Sequence, residues 1–226
     1  MQEQMNARIA SIWETHLGGN TDTLAPLNFP QLEQKDVLFV GMNPSFDIRK
    51  MKSWFRKNRW NDDPCTYYLW INRNLICPER EELTRAHFQK NHSFFRQHHS
   101  LIESLGGPSW IHLDLFPYRQ TNQKEFIAFR EANQDFHSEC LEVFDTAVNI
   151  VRPKLILIWN ARASTEFLAR HPAEFDPIIG THRLCGPVME RGIPVFASSM
   201  LTGQRALDVH SRERLFWHIR KVYDAL

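Results

Sequence analysis

Polar side chains follow four short apolar runs of this 226-residue chain, at or just after the point where each run ends. The runs are 37–41, 110–116, 155–159 and 193–197, and the polar residues that go with them are Asn43, Asp114, Asn160 and Ser199. Apolar runs of this length predict buried strands. Because open α/β sheets bind ligands at the carboxyl ends of their strands, the pattern predicts a binding site at that edge.

The first of these segments, Gly-Met-Asn-Pro-Ser at residues 41–45, is the most specific. Gly41 permits close approach of another group to the backbone. Pro44 stiffens the turn and biases Asn43 toward an extended conformation. The Asn43 carboxamide offers a donor and an acceptor. Alternatively, Asn-Pro simply makes a turn after a strand, and spacing alone leaves both interpretations open.

The other strand ends supply further candidates. Asp114 and Phe116 close the second run, and Arg119 follows three residues later. The last run leads into a segment that contains Thr202, Arg205 and His210. One polar strand end is consistent with a turn, whereas four that converge on one edge are typical of a site.

Between the strands, apolar residues recur at helical spacing. Helices are expected at the amino terminus and over residues 93–105, 134–151, 161–170 and 211–224, and residues 171–192 are expected to form an irregular surface connection. Strands that alternate with helices predict a parallel sheet flanked by helices. The exception is residues 46–92, a connection too long for an ordinary loop and therefore expected to be a functional insertion in a single domain spanning 1–226.

The segment Val-Leu-Phe-Val-Gly-Met-Asn-Pro-Ser, residues 37–45, resembles the first motif of the uracil-DNA glycosylase superfamily. It is most similar to the Gly-Met/Ile-Asn-Pro form of the mismatch-specific and single-strand-selective branches. The order of the later segments, 114–122, 151–163 and 193–208, is also similar at the level of pattern. The resemblance implies a three-layer α/β/α sandwich with a four-stranded parallel sheet.

The resemblance also implies an activity, hydrolysis of the N-glycosidic bond of a damaged or deaminated base that is flipped out of DNA into a cleft. Asn43 would position the water. The main chain at Gly41 and Met42, together with Asp114, Phe116 and Asn160, would contact the base. A non-catalytic module that binds a nucleobase or nucleic acid on the same fold is the alternative, and an unrelated α/β protein is a third possibility.

Two positions depart from the family pattern. Ser199 stands where the family has a histidine or asparagine, so that Ser199, Thr202 or a neighbouring side chain would have to supply the hydrogen bond to the leaving base. Loss of one such donor costs about 10²–10³ in rate. Asp114 stands at the base-reading position, and an ionised carboxylate only accepts hydrogen bonds. It therefore favours cytosine or adenine over uracil.

Residues 49–96 contain eleven Lys or Arg against five Asp or Glu, in a chain of net charge +1. Aromatic residues are interleaved with the basic ones, a composition that suits flipped or single-stranded nucleic acid. Alternatively, the rings pack the insertion and the cations solvate its outside. Arg56, Lys57, Arg59, Arg119, Arg205 and His210 are the expected DNA contacts.

Several classes of function are excluded by missing motifs. The four cysteines form no Cys-x-x-Cys pair, and no His-x-x-x-His motif occurs, so a metal site is not expected. Glycine-rich cofactor and phosphate motifs are absent, so no cofactor is expected. The chain contains neither a secretion signal nor a membrane-spanning stretch. A cytoplasmic monomer that binds DNA and not membranes is the expectation.

Overall fold

The computed structural model describes residues 2–186, 192–201 and 206–226. The strands are β1 (Val37–Gly41), β2 (Trp110–Asp114), β3 (Leu155–Ile158), β4 (Ala173–Asp176), β5 (Thr181–Leu184) and β6 (Pro194–Ala197). The helices are α1 (Gln2–Leu17), α2 (Ile48–Lys57), α3 (Pro64–Tyr67), α4 (Pro78–Asn91), α5 (Arg96–Ser104), α6 (Gln123–Ala132), α7 (Gln134–Val151), α8 (Ala161–Arg170) and α9 (Val209–Tyr223). Short 3-10 turns cover Trp70–Leu75 and Ser93–Phe95.

The chain divides into two compact units. The sheet unit comprises residues 32–42, 89–115 and 145–226, and the helical unit comprises residues up to 31, 43–88 and 116–144. The sheet unit holds every strand together with α5, α8 and α9. The helical unit holds α1, α2, α3, α6 and most of α4.

The protein is an α/β protein with a six-stranded, mostly parallel mixed sheet flanked by helices. The strand order is β2-β1-β3-β6-β5-β4, in which β2, β1, β3 and β6 are parallel and β5 is antiparallel to both of its neighbours. Gly41 pairs with Asp114, and Ile158 pairs with both Val40 and Ala197. The carboxyl ends of the four parallel strands are therefore in register.

All four strands predicted from apolar runs are present, but the prediction of a four-stranded sheet is wrong. Strands β4 and β5 form a hairpin within residues 171–192, which were expected to be irregular. All four β4 residues are at least partly exposed, so no continuous apolar run marks that strand. Gly180, at φ +68°, lies in the turn between the strands.

The core of the sheet unit explains why β1 and β3 are continuous apolar runs. Every residue of both strands is buried, as expected for central strands that are covered on both faces. Alternate side chains of β1 and β3, including Phe39 and Leu157, pack with Leu101 of α5 and Ile219 of α9 in one cluster. Helix α8 contacts β3 directly.

Residues 46–92, the expected insertion, form α2, α3, a 3-10 turn and α4. Helix α2 begins at the cap residue Asp47, whose carboxylate accepts hydrogen bonds from the main-chain N–H groups of Arg49 and Lys50. Met51 and Phe55, one turn apart, are buried in a mainly aromatic cluster with Tyr67, Tyr68, Trp54 and Trp60. The aromatic residues of the insertion therefore build its core, as in the packing alternative.

Candidate functional site

Asn43 lies in the helical unit, two residues after β1, and its side-chain amide is held by the main chain. Nδ2 donates hydrogen bonds to the carbonyl oxygens of Gln120 at 2.7 Å and Tyr118 at 3.1 Å. The carbonyl of Pro44 lies at 3.5 Å. Both protons of the amide are thereby engaged, and the carboxamide is fixed in one orientation.

The same two chain segments are joined by further hydrogen bonds. The main-chain N–H of Gln120 donates to the carbonyl of Pro44 at 3.0 Å. The Thr121 hydroxyl lies 3.2 Å from the Ser45 hydroxyl and accepts a hydrogen bond from the N–H of Phe46 at 3.1 Å. The Asn43 amide is thus one of several bonds that fix residues 43–46 against residues 118–121.

The two interpretations of Asn43 are compatible in this geometry. Its Nδ2 stabilises the turn, as the turn interpretation requires. Its Oδ1 makes no hydrogen bond with the described residues and is not fully buried. Asn43 can therefore act as a fixed acceptor for a water or a ligand, whereas its donors are already used.

Phe116 and Arg119, the other candidates in the helical unit, do not fit the roles expected for them. Phe116 is fully buried and packs against Phe126 and His137, so its ring is not available to a base. Arg119 is 9% exposed and forms a buried ion pair with Glu81. Its Nε donates to the carbonyl of Ala25 at 3.0 Å. A guanidinium with these partners stabilises the loop and does not face DNA phosphates.

A small polar cavity lies beside this loop. Phe46, Tyr118, Arg119, Thr121 and Asp22 are among the residues that line it. Its volume is about 190 Å³, which is below the roughly 300–1,000 Å³ of typical ligand pockets. The cavity alone therefore does not define a binding site.

Asp114 lies in the sheet unit at the end of β2, and its carboxylate occupies the space that a side chain at position 41 would fill. A Cβ built on Gly41 would lie 2.1 Å from Asp114 Oδ1 and 2.8 Å from His112 Nε2. Gly41 and Asp114 are thus brought together. The side chains of Asp114 and His112 are the groups whose close approach requires a glycine at position 41.

His112 is a candidate that the sequence reasoning missed. Its Nε2 lies 3.4 Å from Asp114 Oδ1, and the two side chains are only 8% and 12% exposed. Because side chains two apart on a strand point to the same face, the sequence Trp-Ile-His-Leu-Asp could have revealed the pair. Asp114 Oδ2 makes no hydrogen bond with the described residues and is not fully buried.

Aromatic rings enclose His112. The ring centroids of Phe94, Phe95 and His98 lie 5.7, 5.2 and 5.4 Å from that of His112. His112 Nδ1 is fully buried and has no hydrogen-bond partner among the described residues. Burial lowers the pKa of His98 well below its usual value, and the nearby imidazoles of His112 and His99 lower it further. His98 is therefore neutral.

The remaining candidates of the sheet unit serve different purposes. Asn160 caps α8, since its side-chain oxygen accepts hydrogen bonds from the N–H groups of Arg162 and Ala163. Only its amide nitrogen is left for a ligand. Ser199 is half-buried, and its carbonyl accepts a hydrogen bond from the Ser198 hydroxyl at 2.9 Å. The side chain of Met42 is buried.

The last candidates precede α9 in the sequence or lie in its first turn. Thr202 and Arg205 fall outside the described residues. His210 is in the first turn of α9, with its side chain 85% exposed and its Nδ1 3.5 Å from the carboxylate of Glu213. It is open to a partner, although a carboxylate already lies nearby.

A basic surface lies on α2 and the turn that follows it. Arg49, Arg56, Lys57 and Arg59 are exposed and make no ion pair among the described residues. Other cations of the insertion are neutralised, as Lys52 is by Asp63 and Arg80 by Asp62. The predicted DNA contacts Arg56, Lys57 and Arg59 are thus free to meet phosphates.

The described residues contain neither a metal-binding cluster nor a membrane-spanning helix. Within 2–186, 192–201 and 206–226, no group of three or more His, Cys, Asp or Glu residues is arranged to hold a metal ion. In the same part of the chain, no helix has the length and apolar character needed to cross a membrane.

Comparison with known proteins gives no family. No protein-family model matches the chain, and no curated protein sequence matches it. What this protein binds or catalyses must therefore be inferred from the geometry of the residues described above and from the resemblance of residues 37–45 to a glycosylase motif.

Proposed function

We propose that the protein is a DNA glycosylase of the uracil-DNA glycosylase type, with the three-layer α/β/α arrangement of that superfamily. It hydrolyses the N-glycosidic bond of a base flipped out of DNA. Water adds its oxygen and one of its protons to the sugar carbon as a hydroxyl group. The bond between this carbon and the nitrogen of the base breaks, and the base leaves with the second proton of the water. The observation that carries the proposal is the fixed carboxamide of Asn43, whose Oδ1 makes no hydrogen bond with the described residues.

A fixed acceptor is what the attacking water needs. Because the amide protons of Asn43 are engaged by main-chain carbonyls, Oδ1 does not have to reorient during the reaction. A reactant already held in the attacking geometry has less translational and rotational freedom to lose in the transition state. The activation barrier is therefore lower. Four parallel strands in the predicted order along the chain, and the resemblance of residues 37–45, support the same assignment.

The basic surface of α2 supports DNA as the partner. Four exposed cations that form no ion pair with the described residues lie within eleven residues of chain, Arg49, Arg56, Lys57 and Arg59. Phosphate contacts of this kind release counterions from DNA and supply affinity that does not depend on sequence. The rings of the insertion are core residues, so the proposal assigns them no base stacking.

The activity is tested with oligonucleotides that carry one uracil, hypoxanthine or xanthine, or one mispaired thymine, cytosine or adenine. The wild-type protein should leave alkali-labile abasic sites in at least one of them. Asn43→Ala should abolish turnover and keep DNA affinity, measured by fluorescence anisotropy. It should also lower the free energy of unfolding by about 1–3 kcal/mol, because carbonyls of the loop lose their donor.

Thr121→Val provides the matched control for Asn43→Ala. It removes the side-chain hydrogen bonds to Ser45 and Phe46, and so loosens the same loop without changing Asn43. Turnover should survive in Thr121→Val. If both variants lost activity in proportion to their stability, Asn43 would be a turn residue and the proposal would fail.

The second candidate function is a non-catalytic module that binds a nucleobase or nucleic acid. The specific observation in its favour is Ser199, a hydroxyl where the resemblance requires an imidazole or a carboxamide. Binding without cleavage across the whole panel of oligonucleotides would establish this function instead.

Both functions require a DNA-facing surface, which the salt dependence of binding tests. Replacing Arg56, Lys57 and Arg59 by alanine should flatten the slope of log affinity against log salt by about one unit per lost phosphate contact. Lys52→Ala, which removes a cation already paired with Asp63, should leave the slope unchanged. Equal slopes for all the proteins would remove α2 from the interface.

A further inference from the structure

We propose that His112 is a positioning residue that holds Asp114 as an acceptor for an exocyclic amino group, so that the base bound by this protein is of the cytosine or adenine class. The inference rests on the proposed function and deepens it, because it names the substrate class. The structural basis is the His112–Asp114 pair, which occupies the space left open by Gly41.

The first step concerns the orientation of the carboxylate. An ionised carboxylate only accepts, so the hydrogen bond at 3.4 Å requires the proton to be on His112 Nε2. The absence of a side chain at Gly41 leaves room for Oδ1 where a Cβ would otherwise lie. With Oδ1 engaged by His112, Oδ2 is the oxygen that remains for a ligand.

The second step concerns what Oδ2 can bind. The amino groups of adenine N6 and cytosine N4 donate hydrogen bonds, whereas the corresponding positions of hypoxanthine and uracil are carbonyl oxygens. Asp114 Oδ2 and a carbonyl oxygen are both acceptors, so no hydrogen bond forms between them and their close approach is unfavourable. A well-formed pair of this kind discriminates by roughly tenfold to hundredfold.

The third step concerns why His112 is more than a packing residue. A phenylalanine would fill the space among Phe94, Phe95 and His98 without a polar atom. The imidazole instead leaves Nδ1 buried and unpartnered, which costs free energy. Its hydrogen bond goes to Asp114, and this bond is therefore the feature of the ring that packing alone does not explain.

The test compares nucleosides and variants. Deoxycytidine, deoxyadenosine, deoxyuridine and deoxyinosine are titrated by calorimetry into the wild-type protein, His112→Phe and His112→Gln. Oligonucleotides with one cytosine, adenine, uracil or hypoxanthine are assayed for cleavage in parallel. His98→Phe serves as the control, because it changes a ring in the same cluster that makes no hydrogen bond to Asp114.

The wild-type protein should prefer deoxycytidine or deoxyadenosine by about tenfold to hundredfold over the carbonyl-bearing nucleosides. His112→Phe should lose most of this preference. His112→Gln, whose Nε2 can also donate, should restore it, and His98→Phe should keep it. A preference that survives in His112→Phe would overturn the role of His112.

The two proposals fail in distinguishable ways. Cleavage that favours uracil or hypoxanthine would overturn the substrate class and leave glycosylase activity standing. An amino-base preference in the titrations without any strand cleavage would overturn hydrolysis and leave the role of His112 standing. If no nucleoside binds and no strand is cleaved, both proposals are wrong.

Discussion

Asn43 in the helical unit and Asp114 in the sheet unit both present an oxygen acceptor at or just after the end of a buried strand, but the protein holds the two side chains differently. Asn43 is fixed by main-chain carbonyls, including those of Tyr118 and Gln120. Asp114 is held by one side chain, the imidazole of His112. Main-chain partners persist when side chains change, whereas a side-chain partner is removed by a single substitution.

The difference determines what each site depends on. The Asn43 acceptor is only as well placed as the backbone of residues 118–121, and that backbone is anchored by the buried side chain of Arg119. The Asp114 acceptor depends on the identities of the residues at positions 41 and 112. Substitutions that destabilise the fold can therefore displace the Asn43 acceptor. The Asp114 acceptor is displaced by substitutions that change side-chain size or hydrogen bonding at positions 41 and 112.

The largest effect is expected from Arg119→Met. It leaves the Glu81 carboxylate, which is 5% exposed, without its guanidinium partner. Breaking one side of a buried pair costs about 3–5 kcal/mol, so the midpoint of denaturant unfolding should fall accordingly. Because the loop that holds Asn43 loosens with it, turnover should fall as well.

Two controls accompany Arg119→Met. Lys52→Met breaks an exposed pair with Asp63 and should cost less than about 1 kcal/mol. Replacing both Arg119 and Glu81 by methionine should recover much of the loss, since neither charge of that pair is then buried without the other. A cost below about 1 kcal/mol for Arg119→Met would show that the pair does not anchor the loop.

The next effect is expected from Gly41→Ala. The new Cβ would collide with Asp114 Oδ1 and His112 Nε2, and overpacking of this kind costs about 1–3 kcal/mol. Unfolding in denaturant measures the loss. In the background of Asp114→Ala the cost should be smaller, because the nearest colliding atom is absent.

Gly19→Ala is the matched control, because no atom lies within 4 Å of a Cβ at that position. Its unfolding midpoint should match that of the wild-type protein. If Gly41→Ala were equally harmless, Asp114 would not be held against β1 and the acceptor site would have no fixed geometry.

The smallest effect is a pH dependence carried by His98. Its pKa is lowered well below 6.5 by burial, and the imidazoles of His112 and His99 lower it further. Below pH 6.5 the unfolded chain therefore binds a proton that the folded protein does not. Stability should then fall as the pH falls, by up to about 1.4 kcal/mol per pH unit.

Unfolding at pH 7.5, 6.5 and 5.5 measures this contribution in the wild-type protein and in His98→Phe. The substitution removes the titrating group and keeps a ring in the cluster around His112, so its stability should depend less on pH. Identical pH dependences for the two proteins would contradict the assignment to His98.

Much of the parallel part of the sheet could be predicted from sequence. The continuous apolar runs identified β1 and β3, which are buried on both faces, and helical spacing identified α7 and α8 with their observed bounds. The hairpin of β4 and β5 was missed because it lies at the edge of the sheet, where exposed residues give no apolar run. The individual helices within residues 46–92 were not predicted either. Their apolar residues are mostly aromatic and belong to a cluster separate from the core of the sheet unit.

The site residues were predicted less evenly. Polar residues at strand ends located Asn43 and Asp114, because chain order and strand direction place them there. The same reasoning predicted that Arg119 contacts DNA, whereas in the structure Arg119 forms a buried ion pair with Glu81. Residue type indicates that a cation needs a partner, but it does not indicate whether that partner is a phosphate or a carboxylate 38 residues away.

The sequence by itself determined which hydrogen-bond acceptors lie at or just after the strand ends. It also placed a glycine at position 41, but it did not indicate which group approaches that glycine. Only the tertiary structure decided which atoms of the acceptors remain free. The donors of Asn43 are engaged by carbonyls 75 and 77 residues away, and Asp114 shares its Oδ1 with a histidine on its own strand. Hydrogen-bonding capacity is limited, so the chemistry left to a polar side chain is known only after its partners within the fold have been counted.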